Sequence, residues 1–307
     1  AKRTTIAVVG GGAGGVELIL SMQFRLHNEL QQLGRHADAL EFHLLTDAEL
    51  LPTHNPGVRQ TFKSVLEMRG VKLHTHSRVT GVENKSHTNK LSIQTSSGHL
   101  QSLDADEIMW VTQAGGAEWL KNTGLELDER GFIKILDTLQ TTQDPSIFAA
   151  GDICSMVNYP LEKAGVFAVR MGKPLTENLR RQVEGKPLKN YAPQTTWLAL
   201  ISTGDQYAVA SKGSIGFSGA WVWKWKDWID QRFMRKFSEF PEMSSSSEPE
   251  NKHQLALTQE ESLQAISAIA MRCGFAIYRR RNCKCCSRAA VEVAIFISYA
   301  RADIKRA

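Results

Sequence analysis

The run Gly10-Gly11-Gly12-Ala13-Gly14-Gly15 is the feature that most narrows what this chain can become. Before it stands a short run, Thr5-Ile6-Ala7-Val8-Val9, that reads as a buried parallel strand. After it comes a helical pattern from about Val16 to Leu33, with Gly34 as a stop. The spacing Gly10-x-Gly12-x-x-Gly15 gives each glycine a separate task. The first permits the tight turn, the second lets backbone approach a pyrophosphate, and the third lets helix pack close to strand. The helix N-terminus then offers free N–H groups and a partial positive charge to phosphates. An incidental glycine loop is the bland rival. Here the pattern sits between strand and helix in a βαβ unit, which is the context dinucleotide binding requires.

The following residues continue that unit. Glu41–Leu45 is a second strand, and Pro52 and Pro56 break the chain before a helix over about 57–69. Val71–His76 and Arg78–Glu83 suggest strands, Lys90–Gln94 a hairpin arm, and Glu107–Thr112 a returning apolar strand. This order predicts an α/β fold: a Rossmann-like, three-layer NAD(P)-binding domain over residues 1–115. An acidic residue closing the second strand would bind the adenosine ribose and favour NAD over NADP. Asp47 stands close to that place, with Thr46 as the rival occupant and no arginine immediately beside it, so NADH is preferred.

Ile147–Ala150 reads as a further strand capped by Gly151-Asp152, followed by a helix over about Glu162–Gln182. Strand-like text at 196–217 leads into an amphipathic, Trp- and Phe-rich helix at 220–240. Residues 116–243 are therefore expected to form a second domain, 244–258 a polar linker, and 259–307 a short helix with a basic tail.

Composition adds limits. The net charge of +5 is local, because residues 272–307 hold nine of the 37 basic groups against Glu292 and Asp303. The remainder is near neutral, which argues against nucleic-acid binding. No apolar run approaches the roughly 20 residues needed to span a bilayer. Four of the five cysteines crowd into the tail, leaving Cys154 alone, so a reducing cytoplasm is the expected compartment. The abrupt start at Ala1, directly on a strand, is expected of a fragment.

The glycine run with Val16-Glu17-Leu18, Leu50-Leu51-Pro52, Trp110–Leu120, Gly131-Phe132-Ile133, Asp137, Leu139-Gln140-Thr141 and Ile147–Asp152 occur in an order that resembles the pyridine nucleotide-disulfide oxidoreductase superfamily. The nearest likeness is to type II NADH dehydrogenases and sulfide:quinone reductases, over roughly residues 4–243. The resemblance implies FAD and NAD(P)H as cofactors, and hydride transfer between them. It assigns Gly10, Gly12 and Gly15 to the pyrophosphate, Glu17 to the nicotinamide-ribose side, and Gly151-Asp152 to the flavin ribityl chain. Residues 116–243 become the C-terminal remnant of an FAD-binding domain. Lys163 could steady the flavin's N1/C2 edge or a quinone, against the alternative of a solvated helix-start lysine. Two departures matter: the superfamily's first glycine fingerprint is absent from this sequence, and Gln113 stands where relatives often have glycine.

Other features have rival readings. Met271-Arg272-Cys273-Gly274 resembles the start of a selenide, water dikinase domain, to which oxidoreductase modules of this kind are fused. The text then departs from that family at Phe275, as a reading-frame change would cause. A non-catalytic dinucleotide-binding module is a further alternative. Cys154 reads as a small core residue rather than a redox group. Trp221, Trp223, Trp225 and Trp228 favour core or homodimer packing over contact with the inner face of a membrane. Cys283-x-Cys285-Cys286 lacks zinc-finger spacing, and the alternation of His74 and His76 reads as chance. The expected partner is a small-molecule electron acceptor, a quinone or a sulfur or selenium compound.

Overall fold

A computed structural model describes residues 3–84, 88–112, 114–239 and 294–298. β1 (Thr4–Val9) passes through the glycine run into α1 (Ala13–Gln32). Then come β2 (Leu40–Leu45), α2 (Pro56–Met68), β3 (Lys72–His74), β4 (Ser77–Asn84), β5 (Asn89–Thr95), β6 (Leu100–Ala105) and β7 (Glu107–Trp110). They are followed by β8 (Ile133–Ile135), β9 (Ile147–Gly151), β10 (Cys154–Met156) and α3 (Gly165–Val183). β11 (Ala199–Ser202), β12 (Ala208–Lys212), β13 (Ile215–Gly219), α4 (Ala220–Ser238) and β14 (Ala294–Ser298) complete the order. The described residues divide into two compact units, 3–112 with 196–235, and 114–195 with 236–239 and 294–298.

The first unit is built on a parallel sheet in the order β3-β2-β1-β7. Successive side chains of a strand point to opposite faces, so one strand serves two cores. Ile6, Val8, Phe42 and Leu44 pack with Ile19 of α1 and Phe62 of α2. Ala7, Val9 and Leu45 meet Leu91 and Ile93 of the antiparallel β4-β5-β6 meander. The expected α/β architecture is present as helices, parallel sheet and meander. α2 begins where Asn55 accepts from Val58 N at 3.0 Å and Pro56 supplies a preset φ.

The small sheet departs from expectation. Residues 196–219 and most of α4 were expected with the flavin remnant but belong to the first unit. Polar clamps and shared core hold them there. Arg69 donates to Thr203 O at 2.6 Å and pairs with Asp205. Asn55 Nδ2 donates to Gly213 O at 3.1 Å, His54 Nδ1 lies 2.9 Å from Ser211 Oγ, and Ile201 and Val209 join the core of Phe62.

In the second unit β8 and β10 pair in parallel, and Ile135, Leu139 and Phe148 form a core with Met171 of α3. The basic tail was expected without an element at 294–298. There β14 pairs in parallel with β9, Ala294 opposite Ile147 through Ser298 opposite Gly151. The linker, the helix near 259–270, Met271–Gly274, the tail cysteines and Gln113 lie outside the described residues.

His74 has a partner that alternation alone did not suggest. Its Nε2 lies 2.9 Å from His43 Nδ1, the rings are stacked at 5.1 Å, and His43 Nε2 lies 3.1 Å from Glu41 Oε1. The carboxylate only accepts, so His43 donates from Nε2 and receives at Nδ1 from His74. Burial lowers both imidazole pKa values, and for His43 it outweighs the opposing pull of Glu41; Lys72 lowers both further. The unfolded chain therefore binds more protons, and the pair's contribution is complete above pH of about 6.5 and lost as pH falls below it. The thermal midpoint should drop between about pH 7.5 and 5.5, and His74→Gln should flatten that dependence; an unchanged slope in the variant would refute this account.

Candidate dinucleotide site

At the end of β1 the chain turns where a side chain cannot fit. Gly10 has φ +129°, and a Cβ there would lie 2.2 Å from Val111 O. A Cβ on Gly15 would stand 1.8 Å from Gly10 O, so α1 crosses directly against the turn. Gly10 N donates to Leu45 O at 2.8 Å, and Leu51 N donates to Gly11 O at 2.8 Å. The loop is thus tied to the strand beside it and to the segment that follows that strand. Gly12 differs: it caps α1 without a side-chain bond, and a Cβ there would meet nothing within 4 Å. The first turn of α1 carries no acidic residue, so its partial positive charge is not offset from within. Open backbone at a helix N-terminus is the arrangement that receives a pyrophosphate.

At the end of β2, Thr46 is buried and its side chain faces the Cα of Gly11 closely enough to exclude a Cβ there. Asp47, beside it, is exposed. Thr46 therefore lies against the glycine loop while Asp47 faces solvent. Glu17, expected toward the nicotinamide ribose, accepts from Ser202 N of β11 at 2.7 Å. Burial raises its pKa, with the Ser202 hydrogen bond and Lys226 opposing and Asp230 adding. The role of Glu17 in holding β11 had no local signal, because Ser202 is 185 residues away.

In the second unit Gly151 takes φ +81°, its N–H donates to Met171 Sδ at 3.2 Å, and its carbonyl accepts from the Cys154 thiol at 3.3 Å. Gly151, Asp152, Cys154, Glu162, Lys163 and Phe167 line a small cleft. Lys163 is half-buried rather than solvated. It donates to Cys154 O and sits 3.9 Å from the centroid of the Phe132 ring, a cation–π contact, and burial lowers its pKa. Nearby, a Cβ on Gly116 would stand 1.8 Å from Gly131 O, so these two loops touch backbone to backbone.

Among the described residues no cluster of His, Cys, Asp and Glu could hold a metal ion, and no helix is long and apolar enough to cross a membrane. The expectation of core packing for the tryptophans holds for Trp223, which packs with Ala208, Ala210 and Val222. Trp221 and Trp228 are 58% and 51% exposed. They share a helix with one buried residue, Val222, so three of the four indoles lie outward.

The family profile described as pyridine nucleotide-disulphide oxidoreductase matches residues 1–173, more than half of the chain. The chain belongs to this family. Among curated relatives, the type II NADH:quinone oxidoreductase Ndh of Mycobacterium tuberculosis is 25% identical over 232 residues, 73% of this chain and 49% of that protein. The type II NADH:quinone oxidoreductase of Haemophilus influenzae is 28% identical over 62% of this chain and 43% of its own length. Ferroptosis suppressor protein 1 of Taeniopygia guttata is 27% identical over 66% and 52%. The chain thus spans about half the length of these relatives. The crystal structure of sulfide:quinone oxidoreductase from Aquifex aeolicus shares the fold with TM-score 0.59 at 15% identity, over 76% of this chain and 58% of that one.

Cys154 is a core group in this member of the family. It is buried, and desolvation pushes its thiol pKa up to about 12 against the opposing charge of Lys163. Iodoacetamide footprinting at about pH 8 should leave the Cys154 peptide unlabelled in folded protein and label it after denaturation; rapid native labelling would contradict the burial argument.

Proposed function

We propose that this chain forms the NADH-binding part and a portion of the flavin site of an FAD-dependent NAD(P)H oxidoreductase. The observation that carries the reading is the open backbone at Gly12, between two glycines that the fold itself requires. The Gly10 turn directs the N-terminus of α1 at the pyrophosphate, and Gly15 keeps the helix close enough for its first N–H groups to reach it. In the second unit Gly151 and Asp152 are the candidates to hold the ribityl chain, with Lys163 supplying charge at the cleft. FAD, when bound, supplies the hydride acceptor; the protein's task is to bind and orient, and no side-chain acid or base is required for that transfer. Family membership and the NADH:quinone oxidoreductase relatives support this reading.

The acceptor is proposed to be a small molecule, a quinone or a sulfur or selenium compound, used on the cytoplasmic side. The outward Trp221, Trp225 and Trp228, with Lys224 and Arg232 on the same helix, support peripheral contact with the inner membrane face or a homodimer surface. Fusion to selenide, water dikinase rests on Met271–Gly274 alone, and a gene in which no frame restores a kinase domain would remove it.

The two glycines separate folding from binding. Gly12→Ala should fold with stability within about 1 kcal/mol of the parent, yet lose about tenfold or more in NADH affinity by calorimetric titration. Gly15→Ala should cost about 1–3 kcal/mol in chemical denaturation, because the methyl overlaps Gly10 O. A parent chain that binds no NADH, or a Gly12→Ala variant that binds it unchanged, would defeat the proposal. Full-length protein supplied with FAD should oxidise NADH, and acceptor screening then names the substrate class.

A further inference from the structure

Granted that the glycine loop holds a dinucleotide, the segment after β2 is placed to decide which one enters. With the pyrophosphate on Gly12, the adenosine ribose lies over the end of β2. The chain there runs from Thr46 to Leu51, whose N–H returns to Gly11 O. It carries two carboxylates, Asp47 and Glu49. Two nitrogen-bearing side chains approach from neighbouring elements, Lys63 from α2 and His76 from the turn after β3. Both are engaged by Glu49: Lys63 Nζ stands 3.0 Å from Oε2, and His76 Nε2 stands 3.1 Å from Oε1. His76 adopts φ +51°, rare for a residue with a side chain, and its N–H donates to Ala48 O at 3.3 Å. The backbone thus holds His76 beside the segment that bears Glu49.

We infer that Glu49 is a specificity-determining residue that favours NADH by withholding Lys63 and His76 from a 2′-phosphate. A 2′-phosphate would bring up to about two negative charges beside Asp47 and Glu49. The Lys63 ammonium and the His76 imidazole are already paired with Glu49. The Lys63 hydrogen bond, then that of His76, holds the Glu49 carboxyl below its ordinary range, so it is charged throughout neutral pH. All three side chains are partly exposed, and such pairs are held weakly. Removing the carboxylate therefore frees the Lys63 ammonium and the His76 ring nitrogen without removing core contacts.

The test is calorimetric titration of the whole chain with NADH and with NADPH, for the parent, Glu49→Gln and Glu49→Gln/Lys63→Ala. The parent should favour NADH. Glu49→Gln should tighten NADPH about tenfold while leaving NADH within about twofold, and added salt should shrink the gain. Lys63→Ala in that background should remove most of it. An unchanged preference in Glu49→Gln, or a parent that favours NADPH, overturns the role of Glu49 while NADH binding at the glycine loop stands. A parent that binds neither nucleotide overturns the reading of the loop, and the selector with it.

Discussion

The close passage of α1 over the end of β1 is the constraint on which the first unit depends. With Gly15 against the carbonyl of Gly10, helix and strand approach nearer than any side chain allows. That approach brings the helix N-terminus to the carboxyl edge of the sheet, where Val9 O accepts from Val111 N and Leu45 O accepts from Gly10 N. Three strands therefore fix one turn. The free N–H groups of α1 end up over this edge, while the apolar side of the helix, through Val16, Ile19 and Leu20, packs against Ile6 and Val8. One backbone contact thus serves the core and also sets where the helix N-terminus lies.

The small β11-β12-β13 sheet shows how polar contacts choose among apolar solutions. Ile201 and Val209 would gain from burial against many surfaces, since the hydrophobic effect is non-directional. Arg69, Asn55 and His54 specify one, because each bonds a particular atom of the sheet or its turns. Glu17 adds a fourth tie, to Ser202 N. A carboxylate drawn out of water is costly unless its hydrogen bonds are supplied, so this tie specifies position more than it stabilises.

A polar strip runs along β2 and β3 of the parallel sheet. Glu41, His43 and His74 form one chain of hydrogen bonds, and Glu49, Lys63 and His76 form another beyond the strand ends. In the first, burial sets the protonation state of the imidazoles. In the second, all three side chains stay partly exposed and pair at the surface. The same residue types thus do different work according to solvent access.

The glycine spacing, the apolar run of β1 and the breaks at Pro52 and Pro56 act over a few residues, which is why the parallel sheet and the strand-to-helix turn were legible in the sequence. Steric exclusion at Gly15 arises within the run, against Gly10 O, whereas at Gly10 the excluded space belongs to Val111 O of a distant segment. The home of residues 196–235, the partner of Glu17, the half-buried state of Lys163 and the engagement of Glu49 were decided only by tertiary structure. Those contacts join residues far apart, as Glu17 and Ser202 at a separation of 185 or His54 and Ser211 at 157. No periodicity in one strand or helix records which distant atom will fill a hydrogen bond; that is settled when separate elements share a core.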